Sequence, residues 1–271
     1  MFRERAAVAL LFLPTFFWII AQGGWVYLAV VALALGLAAH EYVALFRHHG
    51  HRPAGPLIVL GVVSLAAARF FTQFDGGPAI LTAAALICLT WHLFDYERGA
   101  ARSGTDFAIS LAGIVYLGWI GAFLISLRQL PQGEWWLLTA LPVVWIADSA
   151  AYMVGKAIGR RRLSPRLSPK KTWEGYLAGI LAAGAGGAGL AFLWGMAADP
   201  SAFRASAGLW LGLALGALTP LGDLGISMIK REVQVKDTGR LLPGHGGALD
   251  RLDSWLWAGV LGYCVATVAV R

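Results

Sequence analysis

The chain has 271 residues, 58% of them hydrophobic and only 14% charged, with a mean hydropathy of +0.65. Soluble globular proteins carry about a quarter charged residues, so this composition excludes an ordinary soluble enzyme and points to an all-α, polytopic integral membrane protein. The net charge of +7 would suggest a nucleic acid partner in a soluble chain; here membrane topology accounts for it, and no nucleic acid partner is expected.

A spanning helix needs about 20 mostly apolar residues. Nine segments qualify: 6–22, 25–40, 55–72, 78–95, 107–127, 135–156, 175–197, 206–226 and 254–270. The first follows the basic "MFRER" but has a long apolar core and no A-x-A cleavage pattern, so it reads as an uncleaved span. The first two are short and joined only by "GGW", which suggests a tight helical hairpin. Cys88 and Cys264 lie in apolar runs without metal or redox spacing and read as small buried hydrophobes. The Gly/Ala-rich run 178–190, "AGILAAGAGGAGL", has the small residues that let membrane helices pack closely, within the bundle or across a dimer.

Basic residues fix the expected orientation. With the N-terminus in the cytoplasm, the inner segments 1–5, 41–54, 96–106, 157–174 and 227–253, plus Lys156, hold 18 of the 22 Lys and Arg. The outer side keeps Arg69, Arg128, Arg204 and Arg271. The positive-inside rule then puts the C-terminus outside and the two long polar loops, 156–175 and 227–253, in the cytoplasm. A division is expected between five N-terminal spans (1–130) and a C-terminal region of four (131–271) that carries the two long polar loops, where any chemistry should sit.

Two aspartates fall inside apolar runs, where each costs about 2.5–3.5 kcal/mol on insertion scales. Asp148 precedes Lys156 by about 12 Å of helix. Asp148, Tyr152, Gly155 and Gly159 share one helical face, suited to a cavity lining or to a bond with a neighbouring helix. Asp223, Ser227, Lys230 and Arg231 form a second such face, although Lys230 and Arg231 also suit a plain positive-inside anchor.

The stretch "KDTGRLLPGHGGALDRLD", 236–253, is dense in charge and glycine, and an uncharged span follows it. Singly its parts have ordinary readings: Lys236 and Arg240 as loop cations, His245 as polar surface, Asp250 and Asp253 as caps of the last helix. Together they suit a phosphate site. Asp223 and Asp250 have the oxygen chemistry that Mg²⁺ takes from one or two carboxylates plus substrate phosphates. Lys230, Arg231, Lys236 and Arg251 suit phosphate oxygens. The glycines around His245 allow backbone N–H groups to approach a ligand. No P-loop, CxxC or HExxH motif is present.

The run 227–253, "SMIKREVQVKDTGRLLPGHGGALDRLD", resembles the C-terminal signature of the phosphatidate cytidylyltransferase (CDP-diacylglycerol synthase) family, S-x-x-K-R-x₄-K-D followed by H-G-G-x-x-D-R-x-D. Every fixed polar position is present; Ala248 stands where the family usually has a larger aliphatic residue. A second block, "DSAAYMVGKAIGRRRLSPRLSPKKTWEG" (148–175), is similar to the family's D-[ST]-x-A-Y-x-x-G-K-x-x-G…S-P-K-K-T-W-E-G element. The spans before residue 130 match only in kind.

The resemblance implies that CTP and phosphatidic acid give CDP-diacylglycerol and pyrophosphate, for phospholipid biosynthesis. It implies Mg²⁺ on Asp223 and Asp250, with room for a monovalent cation such as K⁺, and phosphate contacts from Lys170 and Lys171. Asp237, His245 and Asp253 join the catalytic set, and Asp148, Tyr152, Ser168, Ser227, Gly246 and Gly247 the substrate-binding set. It further implies a homodimer in a bacterial-type cytoplasmic (inner) membrane, with the site facing the cytoplasm. Three other readings compete: a CTP-dependent lipid kinase, an ion transporter using Asp148 and Asp223, and a noncatalytic lipid-binding scaffold.

Overall fold

The computed structural model describes residues 14–197, 203–239 and 247–269. Among these are eight helices long and apolar enough to cross a membrane: α1 (Gly24–His48), α2 (Gly55–Thr72), α3 (Gly77–Glu97), α4 (Ser103–Gln129), α5 (Gly133–Ile158), α6 (Trp173–Gly195), α7 (Ala205–Glu232) and α8 (Leu249–Ala269). Residues 14–22 are helical as well, and account for the described half of the expected span 6–22. The protein is a polytopic, integral membrane helical bundle. An antiparallel hairpin in the basic loop before α6, β1 (Arg162–Ser164) and β2 (Ser168–Thr172), is the sheet among the described residues.

Punctuation follows residue chemistry. Gly55-Pro56 and Gly77-Pro78 open α2 and α3, where proline's missing N–H costs nothing. The chain breaks at Gly23, where Gly23 and Gly24 both adopt positive φ (60° and 52°). Arg128 secures this break: its Nε donates to the Ile20 carbonyl (2.7 Å), its Nη2 to the Ala21 carbonyl (3.2 Å), and its Nη1 pairs with Glu134 (3.0 Å). Helix-end carbonyls lacking intrahelical partners are thereby satisfied.

Several helices overrun their apolar stretches. α1 continues eight residues beyond position 40, carrying Glu41, Tyr42, Val43 and Leu45 into the core. α7 continues through Lys230 and Arg231, and α8 begins at Leu249, so Asp250 and Asp253 are helical. α4 contains a π-helical stretch, Ile114–Ile120, flanked by Gly113 and Gly121. Tyr42 packs on Gly113, Val62 on Gly118 and Leu35 on Gly121, so the widened helix sits close to α1 and α2. Leu35, Ile58, Val62, Leu65, Ile114 and Leu117 fill this core. Cys88 is buried as expected; Cys264 is exposed on α8, because that face of the helix points away from the bundle.

Arg69, expected as an outer-side charge, is buried, with its guanidinium 3.7 Å from the Phe74 ring centroid, 4.8 Å from Trp119 and 4.9 Å from Phe123. Cation–π attraction strengthens when the cation is desolvated.

The small-residue run of α6 packs within the bundle, against α7. Gly184 meets Leu213 and Leu209, while Gly187 faces the Gly208 backbone. A Cβ on Gly212 would meet the Ala183 carbonyl, with Gly184 Cα at 2.9 Å. Gly212→Leu is therefore expected to lower thermal stability in detergent by about 1–3 kcal/mol or more, the cost of overpacking. Gly189→Leu, whose added Cβ meets nothing within 4 Å, is expected to leave the melting curve in place.

Candidate active site

α5, α6, α7 and α8 surround a cavity of about 680 Å³ at the end of the bundle that carries the β-hairpin. The β-hairpin and these four helices supply its wall, with Leu163 from β1. α5 gives Asp148, Tyr152 and Lys156; β2 gives Lys170 and Lys171; α6 gives Tyr176; α7 gives Asp223; α8 gives Asp250 and Asp253. Four carboxylates and three lysines thus share one space.

Two of the four carboxylates are paired with lysines. Lys171 Nζ is 2.5 Å from Asp223 Oδ2, and Lys230 Nζ is 2.6 Å from Asp250 Oδ1. Ser227 Oγ lies 3.4 Å from Asp223 Oδ1, one turn along the same helix. Asp250 Oδ2 accepts from the Thr238 amide (2.9 Å), the Thr238 hydroxyl (3.0 Å) and the Gly247 amide (3.2 Å). The Gly247 amide precedes α8, which begins at Leu249, so this bond closes the turn that enters the helix and does not cap its first amides. Asp253 is buried one turn further along α8, where its Oδ1 accepts from the Ser254 amide.

The β-hairpin brings in the lysines. Thr172, closing β2, caps α6 by accepting from Gly175 N at 3.2 Å. Gly155 and Gly159 make room for the Thr172 side chain: a Cβ on Gly155 would stand 2.9 Å from its Oγ1. Gly159 thus serves packing rather than the cavity lining, because α5 ends at Ile158. The Glu174 carboxylate accepts from the Arg161 amide (3.2 Å) across the hairpin's base, and Tyr176 donates to the Ala217 carbonyl (2.8 Å), joining α6 to α7.

Of the residues singled out from sequence, Asp148, Tyr152, Gly155, Lys170, Lys171, Asp223, Asp250 and Asp253 line the cavity. Lys230, Ser227 and Gly247 stand behind it, holding its carboxylates. Arg231, Lys236, Asp237 and Arg251 are exposed and off the lining, and Ser168 is half-buried in β2, paired with Ser164. His245, Gly246 and Arg240 lie outside the described residues. Sequence reasoning missed Thr238, Thr172, Tyr176 and Glu41. Glu41 is buried and bonded to both Thr238 and the start of α8; the apolar period running on through Ala38, Ala39, Tyr42 and Leu45 was the signal that α1 did not stop at 40.

Breaking the Lys230–Asp250 pair from one side leaves a poorly solvated carboxylate. Lys230→Met is expected to cost about 1–3 kcal/mol in thermal unfolding. Adding Asp250→Asn should recover part of that loss in a double-mutant cycle.

Comparison with known proteins agrees with this constellation. The model of the cytidylyltransferase family matches residues 3–269. A protein of Synechocystis named phosphatidate cytidylyltransferase is 33% identical, over 96% of this chain and 94% of its own length. One of the same name from Mycobacterium bovis is 33% identical over 90% of this chain and 81% of its own. Another, from Brucella suis, is 41% identical over 58% of this chain and 56% of its own. The chain belongs to the cytidylyltransferase family.

Proposed function

We propose that this protein is a phosphatidate cytidylyltransferase, a nucleotidyltransferase that moves CMP from CTP to phosphatidic acid, with CDP-diacylglycerol and pyrophosphate as products. The observation that carries the reading is the cavity itself: four aspartates and three lysines gathered inside a membrane bundle of this family.

A phosphate oxygen of phosphatidic acid attacks the α-phosphorus of CTP, and the bond from that phosphorus to the bridging oxygen of the β-phosphate breaks. The attacking oxygen is already ionised, so no strong general base is required. The barrier lies in bringing two polyanions together and dispersing charge on the leaving pyrophosphate, which is work for positioning and electrostatics. Lys170 and Lys171 stand on the wall where phosphates would enter. As Lys171 turns from Asp223 to a substrate phosphate, it trades one anionic partner for another. Lys230 keeps the Asp250 carboxylate oriented. The acyl chains must stay in hydrocarbon while the headgroup meets a water-soluble nucleotide, which suits a cavity with both apolar surface and charged side chains in the end of a membrane bundle.

The donor set fits Mg²⁺. It is all-oxygen, as hard cations prefer, and among the described residues no group of three or more His, Cys, Asp or Glu is arranged to hold a metal unaided. Mg²⁺ characteristically takes one or two carboxylates and completes its shell with substrate phosphates and water. Asp223 and Asp250 would hold it, and bound there it would neutralise phosphate charge. A monovalent cation such as K⁺ beside it, and a homodimer, belong to the proposal through the family resemblance.

The concentration of basic residues in the segments at the cavity end supports a site facing the cytoplasm, in a bacterial-type inner membrane. With 6–22 as a ninth span, the N-terminus is inside and the C-terminus outside.

Purified protein in detergent is expected to release pyrophosphate only when CTP, phosphatidic acid and Mg²⁺ are all present. Asp250→Asn should abolish release, and survival of activity would overturn its metal role. Lys171→Ala should lower kcat/KM by about 10²-fold or more, the scale of losing one transition-state charge partner. No release from folded wild-type protein would sink the assignment.

A further inference from the structure

Glu41 lies far in sequence from every motif that suggests chemistry, yet it is bonded to the strand of chain that presents Asp250. It sits in the penultimate turns of α1, 7% exposed. Its Oε1 accepts from the Ala248 amide (2.9 Å), and its Oε2 accepts from the Leu249 amide (2.9 Å) and from the Thr238 hydroxyl (3.0 Å).

Each contact answers a local need. α8 opens at Leu249, preceded by Ala248, which has no side-chain oxygen to cap the helix. The first amides of a helix have no partner within it, and the N-terminus favours a negative charge. Glu41 supplies both from another helix. Thr238 donates its amide and aims its hydroxyl at Asp250 Oδ2, while the same hydroxyl lies 3.0 Å from Glu41 Oε2. The Thr238 hydroxyl, with one proton to donate, thus stands between two carboxylates within hydrogen-bond reach and links their positions.

The glycines give an independent indication. A Cβ on Gly239 would overlap the Glu41 carboxylate at Oε1, and one on Gly247 would overlap it at Oε2. Both positions leave space that Glu41 fills. Its carboxylate thus grips the chain on either side of residues 240–246.

We propose that Glu41 is a positioning residue for the transfer reaction. From α1 it clamps Thr238 and the first turn of α8, and so fixes the Asp250 carboxylate on the cavity wall. The kinetic part of this inference rests on the reaction proposed above; the structural part does not.

The test compares the full-length wild type, Glu41→Gln and Gly239→Ala in detergent. Glutamine keeps one acceptor but turns an N–H group toward an N–H donor. Gly239→Ala keeps Glu41 and displaces it. Amide hydrogen exchange should accelerate in both variants at Thr238, Ala248 and Leu249, while α2, α3 and α6 exchange as in the wild type. In folded protein, kcat should fall about 10–100-fold, the usual scale for losing an outer partner of a site carboxylate, with KM for CTP changed far less. Glu41→Asp, a methylene too short to reach both amides, should not rescue it. Unchanged exchange at Ala248 and Leu249 would overturn the clamp. Faster exchange with undiminished kcat would overturn the positioning role. If the wild type releases no pyrophosphate, the functional reading fails, and the exchange result still decides the clamp.

Discussion

Removing a carboxylate from water without compensation costs several kcal/mol even after the surroundings relax, and a membrane bundle offers few donors to repay it. This protein gathers four aspartates at one cavity, so the organisation of its polar end follows from how those charges are matched. Asp223 and Asp250 each have a lysine. Asp250 also receives two backbone amides and a hydroxyl. Such matching needs groups from several elements in one place. The β-hairpin brings in Lys171, α7 overruns its apolar stretch to present Lys230, and α1 overruns its own to reach Thr238 and α8 through Glu41.

The remaining architecture holds these elements in register. Close glycine packing sets α6 against α7, and with them the two walls that carry Tyr176 and Asp223. Thr172 joins the hairpin to α6 and fits beside Gly155 of α5. At the opposite end, Arg128 secures the turn at Gly23, and Arg69 is held among three aromatic rings. α8 packs against helices of both halves of the chain, so the presentation of Asp250 depends on the N-terminal helices although its sequence motif does not.

Much of this was legible in the sequence because hydropathy and charge are local signals. Long apolar runs gave the eight described spans, and intramembrane Asp148 and Asp223 marked the cavity. The polar blocks 148–175 and 227–253 supplied most of its lining. The end of α1 was misjudged because the apolar run stops at 40 but the helix does not: Glu41 is satisfied by distant partners, Thr238 and the start of α8. The short hairpin 162–172 carries no strand pattern in a loop crowded with arginine and proline, so it stayed invisible. Among the signature residues, spacing could not separate those that face the cavity, such as Asp253, from exposed Lys236 and Asp237. That distinction depends on the rotation of α8 and the path of the chain after α7.

The central claim is that the aspartate-lined cavity transfers the nucleotidyl group of CTP to a lipid phosphate. The most direct measurement supplies purified protein with phosphatidic acid and CTP labelled at either the α- or the γ-phosphorus, then follows the label into the lipid fraction. Label entering lipid from the α-position, and none from the γ-position, is the expected result. Transfer from the γ-position instead would make the protein a lipid kinase and contradict the account.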